Sequence, residues 1–136
     1  MTQAIVDAGP LIAAADPSDP EHDRCLATLA DAELRLFIPA LVVGEVCYFL
    51  EKLFGPEIEA DFLRSLADSD VRAPIAGDWL RISELVLQYA DFPLGAVDAS
   101  VVTLAERLET DTVITLDRRH FSAIKPRHCE FLRLLP

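Results

Sequence analysis

A chain of 136 residues with 51% hydrophobic and 26% charged side chains is long enough to bury one core, and its composition is not that of a disordered or low-complexity protein. A formal charge of −11 excludes a general nucleic-acid coat, which would be basic. It leaves room for a nuclease, because acids gathered around a metal ion add negative charge where phosphate must bind. Three widely spaced cysteines, Cys25, Cys47 and Cys129, form neither a disulfide framework nor a metal motif, and a reducing cytoplasm is the expected location. No stretch approaches the ~18 uninterrupted apolar residues of a membrane helix, so no membrane association is expected.

Ala4 to Val6 reads as a first strand ending at Asp7, the sole charged residue among the first fifteen. The apolar run around it has no basic leader and carries that acid in its middle, so it is read as part of the fold rather than a signal peptide. Gly9 and Pro10 turn the chain into a helix from Leu11 to Ala15, with Pro10 near its first position. Ser18 or Asp19 is placed to cap a second helix with Cys25, Leu26, Leu29 and Ala30 on its apolar face. His22, in the first turn, reads as a surface histidine. Leu36 to Ile38 form a second strand, stopped by Pro39.

The helix from Ala40 to Leu53 follows, and Glu45 is the one charged residue between Leu36 and Leu50. Gly44 beside it lowers helix propensity by about 1 kcal/mol, which implies close packing or room for a ligand. Pro56 to Ala67 make another helix, and Val71 to Ile75 a third strand weakened by Pro74. Asp78 is placed to cap a helix from Trp79 to Ala90 whose core positions are Trp79, Ile82, Leu85, Val86 and Tyr89.

Phe92 to Gly95 form a loop, and an amphipathic helix from Asp98 to Glu109 follows, with Val97, Val101, Leu104 and Leu108 at three- and four-residue steps. Thr112 to Leu116 is a buried strand, and Asp117 closes it. The helix descends roughly 17 Å and the strand climbs back a similar distance, which returns Asp98 and Asp117 to one edge of the fold. After the basic turn Arg118-Arg119-His120-Phe121 comes a last strand, Phe131 to Leu135. Five basic residues between Arg118 and Arg133 face one acid, Glu130, a strip suited to RNA phosphates or to plain solvation.

Strands alternating with helices in one domain, residues 1–136, imply an α/β fold with a mostly parallel sheet. Four acids stand alone or nearly so in apolar surroundings: Asp7, Glu45, Asp98 and Asp117. Asp98 alone would pass as a helix N-cap and Asp117 alone as a turn residue. Together they sit at the ends of strands and the starts of helices that share one edge, the edge where open α/β sheets carry their chemistry. Four converging carboxylates repel unless a cation neutralises them, and hard oxygen ligands without organised Cys or His point to Mg²⁺ or Mn²⁺.

The segments IVDAGPLIA, PALVVGEV, LGAVDAS and TLDRRHF resemble, in order and spacing, the PIN domain, in particular the VapC-type toxins of toxin–antitoxin modules. The resemblance spans nearly the whole chain. It implies a PIN-like three-layer sandwich of four or five mostly parallel strands flanked by helices, and a Mg²⁺-dependent endoribonuclease that cleaves structured RNA (tRNA or rRNA) through metal-activated water. Asp7, Glu45, Asp98 and Asp117 match the family's acidic positions and would hold the metal. Thr115 matches a supporting hydroxyl. Arg118 and Arg119 become candidates for contact with the RNA backbone. A homodimer and a cognate VapB-like antitoxin are further implications. One departure is plain: Ala8 and Gly9 occupy positions where many members carry Ser or Thr after the first Asp. A receiver domain would need a second acid after the first strand and one after the third, and a haloacid-dehalogenase phosphatase would need Asp-x-Asp at Asp7; neither pattern is present. The remaining rival is a non-catalytic PIN-like protein-binding module, against which stands the presence of all four acids.

Overall fold

In the computed structural model, which describes residues 1–136, the centre of the sheet is β1, Thr2–Val6, buried from Ala4 onward. The chain continues through α1 (Ala8–Ala15), α2 (His22–Leu29), β2 (Leu34–Pro39), α3 (Ala40–Phe54), α4 (Pro56–Ser65), β3 (Val71–Arg72), α5 (Ala76–Gln88), α6 (Ala96–Arg107), β4 (Thr112–Ile114), α7 (Arg118–Ala123) and β5 (Arg133–Leu135). The five strands lie in the order β3-β2-β1-β4-β5, and every pairing is parallel. A parallel sheet covered on both faces selects apolar, β-branched strands, and Ile5, Val6, Val113 and Ile114 are fully buried.

The strand order reverses at β1, which pairs with β2 on one side and β4 on the other. Val6 lies opposite Ile114, so β1 and β4 end level with each other. The crevice beyond the carboxyl ends of strands at such a reversal is the general ligand site of open α/β sheets. Helices flank the sheet, α1 packing on α2 and α3, α3 on α4, and α5 on α6. Arg81 of α5 binds Glu106 of α6 through two bonds of 2.8 Å, a pair with little solvent exposure that fastens those two helices together.

Several elements differ from the sequence reading, each for a local reason. α1 begins at Ala8, directly after Asp7, because Pro10 falls at its third position, where a missing N–H leaves no bond unmade. α2 has no side-chain cap of its own; Asp19 instead accepts from the Glu21 N–H at 2.8 Å, just upstream. β3 stops after Arg72, since Pro74 cannot continue a ladder. Asp78 is not the cap of α5 but its third residue, and its carboxylate reaches back to the Ile75 N–H at 3.0 Å.

Trp79, in the first turn of α5, is 52% exposed rather than core, while Ile82 and Leu85 are buried as expected. Leu26 is likewise exposed, whereas Cys25, one step round the helix, is fully buried. Around Arg118 to Phe121 the expected turn is a short helix, α7. Gly44 has no neighbour within 4 Å of the place a Cβ would occupy, so close packing is not its reason. No helix is long and apolar enough to cross a membrane.

Candidate active site

Asp7 leaves the end of β1 with its backbone N–H bonded to the Ile114 carbonyl of β4 at 2.9 Å. The peptide is thereby pinned across the strand reversal, and the residue is only 5% exposed. Thr115, immediately after β4, donates its hydroxyl to Asp7 Oδ2 at 2.8 Å. The same Oγ1 accepts from the Asp117 N–H at 2.9 Å. One hydroxyl therefore links the first and last acids of the set. Asp117 serves as N-cap of α7, its Oδ1 accepting from the His120 N–H at 3.0 Å.

Glu45 lies in the second turn of α3 and Asp98 in the first turn of α6. Neither caps a helix; α6 starts at Ala96 with Gly95 at the cap, so Asp98 has no capping bond to explain it. Burial raises the Asp98 carboxyl to about 6, and the charges of Asp7, Asp117 and Glu45 add to the rise. Asp7 is raised by burial against the bond from Thr115, with a further push from Asp117. Glu45 is raised by burial and by Asp7. The structure thus brings all four acids within reach of each other's charge at the edge where β1 and β4 end.

A model of the PIN domain matches residues 4–125. The ribonuclease VapC26 of Mycobacterium tuberculosis is 35% identical over 127 residues, covering 90% of this chain and 92% of that protein. The chain belongs to the PIN-domain family, with VapC-type homology. Two solved structures share this PIN fold at low identity. VapC20 of M. tuberculosis, described as a toxin cleaving the sarcin–ricin loop, superposes with a TM-score of 0.81 at 15% identity, covering 98% of this chain and 99% of that one. VapBC2 of Rickettsia felis, bound to a promoter DNA fragment, gives 0.72 at 17% identity, covering 99% and 100%.

This edge offers oxygen donors, four carboxylates, the set suited to a hard divalent cation such as Mg²⁺. No three His, Cys, Asp or Glu side chains converge closely enough to form a complete protein cage. That spacing still fits Mg²⁺, which keeps several waters and is held directly by one or two carboxylates. Burial first, and neighbouring acids second, raise the carboxyls of Asp7, Glu45 and Asp98, and a bound cation would offset both costs.

The two arginines proposed for RNA contact turn in different directions. Arg118 is exposed and reaches the Pro136 carbonyl, while the Arg119 guanidinium lies over the Phe92 ring, 5.2 Å from its centroid. His120 and Phe92 carry no expected role in the sequence. His120 Nδ1 stands 2.7 Å from Asp117 Oδ2, and its ring meets Phe92 edge to face with centroids 4.8 Å apart. A histidine three residues after an N-capping acid was the available signal, hidden because the segment was read as a turn. His22, taken as a surface residue, is half-buried with Nδ1 2.9 Å from the Ala13 carbonyl, tying α2 to α1.

Proposed function

We propose that this protein is a Mg²⁺-dependent endoribonuclease, the toxin of a type II toxin–antitoxin pair, cleaving structured RNA such as tRNA or rRNA. The observation that carries the reading is the gathering of Asp7, Glu45, Asp98 and Asp117 at the strand reversal, where Asp7, Asp117 and Glu45 all act on the buried Asp98. The ribonuclease relative and the toxin with the same fold support the substrate class. When bound, Mg²⁺, or Mn²⁺ in its place, would supply Lewis acidity towards water and the scissile phosphate.

The chain's own residues do the rest. Thr115 holds Asp7 Oδ2 and so fixes the carboxylate that would help hold the cation. Glu45 and Asp98, both partly desolvated, would help hold a cation, which charges at a partly buried edge attract more strongly than in water. Asp117, tied into α7, would help hold an ion or position water. Arg119 supplies positive charge beside this acidic edge for an RNA phosphate, and Arg118 does so if it leaves the Pro136 carbonyl.

An antitoxin partner has a fitting surface as well. An apolar groove of about 410 Å³ runs between α1, α2 and α4, lined by Leu11, Ala15, Leu29, Ile58, Phe62 and Leu66. An amphipathic helix of a VapB-like antitoxin would fill it. For the homodimer, α3 exposes Tyr48 and Leu53 and α5 exposes Trp79, Leu80 and Leu87, apolar area that a second copy would cover.

Chelation tests the reading. Purified protein should stop cleaving total cellular RNA in EDTA and resume when Mg²⁺ or Mn²⁺ is restored. Cleavage untouched by EDTA would refute a cation-dependent site.

A further inference from the structure

His120 does more at this edge than a helix cap requires. An N-cap is satisfied when a backbone N–H reaches the capping side chain, and any residue at position 120 other than proline supplies that bond. Here the His120 N–H donates to Asp117 Oδ1 at 3.0 Å, and the imidazole adds a second bond, Nδ1 to Oδ2 at 2.7 Å. A carboxylate only accepts, so Nδ1 carries the proton in this pair. With both oxygens held by one residue, the Asp117 carboxylate is fixed in rotation, and each oxygen keeps a lone pair directed elsewhere.

The imidazole is held in turn from outside its own helix. Phe92 packs edge-on against it at 4.8 Å, and Arg119 lies over the Phe92 ring. Phe92 belongs to the loop that leads into α6 and hence to Asp98. The contact therefore couples the segment carrying Asp117 to the segment carrying Asp98. His120 Nε2 is buried without any hydrogen-bond partner, an expensive state for a polar atom that a purely structural ring would not need to accept.

We propose that His120 is a positioning residue, orienting Asp117 towards Asp98 so that both carboxylates present free lone pairs to one cation; this rests on the cation-dependent reading above. The alternative is a ring that only fills space beneath Phe92.

Three substitutions separate these roles. His120→Asn places an amide N–H close to the Nδ1 position and keeps the bond to Asp117. His120→Gln extends its amide to the Nε2 position instead. His120→Phe keeps the ring against Phe92 without a donor. Mn²⁺ binding by calorimetry on the full chain, with melting temperatures alongside, gives a readout independent of RNA cleavage. Loss of an orienting bond weakens metal affinity by about tenfold or more, so His120→Phe and His120→Gln should bind Mn²⁺ at least that much more weakly, with His120→Asn within about threefold of wild type.

Mn²⁺ binding by His120→Phe and His120→Gln equal to wild type would overturn the positioning role while leaving the nuclease reading intact. The role is also overturned if His120→Asn binds as weakly as the other two. Should His120→Phe fail to fold, the Asn and Gln pair decides the matter alone. Wild-type protein that binds no Mn²⁺ would remove the nuclease reading and this role with it.

Discussion

Thr115 donates its hydroxyl to Asp7 Oδ2 at 2.8 Å across a sequence separation of 108 residues, and the same oxygen accepts from the Asp117 N–H. The oxygen is enclosed, with Thr115 only 1% exposed. Replacing it with a methyl group of the same shape therefore leaves two polar partners without their bond. Thr115→Val should lower stability by about 1–3 kcal/mol, measured by denaturant unfolding in metal-free buffer. Thr115→Ser should recover most of the loss. A Val variant as stable as wild type would mean that water replaces the hydroxyl at no cost.

Removing charge from the crowded site should act oppositely on activity and stability. Asp98→Asn takes away a carboxylate that burial and three neighbouring acids hold at about 6, so metal-free protein should melt at the same or a higher temperature. RNA cleavage and growth inhibition on induction should fall by about 100-fold or more. Asp7→Asn should behave alike, since an amide oxygen still accepts from Thr115. A marked drop in melting temperature for either variant would identify that acid as a structural residue.

The same raised carboxyls fix a pH dependence. Asp98 moves from 3.8 to about 6 on folding, and Asp7 and Glu45 also rise. Between those values the folded protein binds more protons than the unfolded chain, so stability falls as pH rises through the window. Asp70, lowered by its hydrogen bond to Arg72, contributes stability that is lost only below the ordinary carboxylate range and so does not mask the trend. Metal-free protein should melt about 3–6 °C higher at pH 5 than at pH 7.5. Saturating Mg²⁺ should shrink the difference, as should Asp98→Asn. A melting temperature that rises steadily from pH 5 to 7.5 would contradict the clustering of acids.

The arginines of α7 are separable by salt. Removing one side chain that neutralises an RNA phosphate lowers the slope of log affinity against log salt by about 0.7–0.9. In an Asp98→Asn background, Arg119→Ala should flatten the slope of RNA binding by about that amount, because Arg119 lies over the Phe92 ring that packs against His120 beside Asp117. Arg118→Ala should do so only if Arg118 gives up the Pro136 carbonyl on binding. Unchanged slopes for both would move the footprint to Lys125 and Arg127.

The clustering of the acids was readable because charge burial is costly. A lone Glu45 or Asp98 in a long apolar run has few explanations, and both prove to face other acids. The order of strands and helices was readable from periodicity, and the resemblance carried the pairing of Thr115 with the acids. Other features depend on a fraction of a helical turn. Trp79 satisfies the same spacing as Ile82, yet it sits in the first turn of α5, where the side chain stays exposed. α7, six residues long, is too short to show a period at all. The bond from His120 to Asp117 was invisible for that reason, since it exists only if the segment coils.

The position of β4 beside β1 has a consequence for the order of events during synthesis. β1 emerges first and sits at the middle of the sheet, but its partner on the β4 side, along with Thr115 and Asp117, is made about a hundred residues later. Pairings this distant in sequence form late, after the ends of a long loop have been brought together. A nascent chain can dock β1, β2 and α3 and still hold only half of its acids in place. On the toxin reading proposed above, the hazard arrives only when nearly the whole chain has left the ribosome.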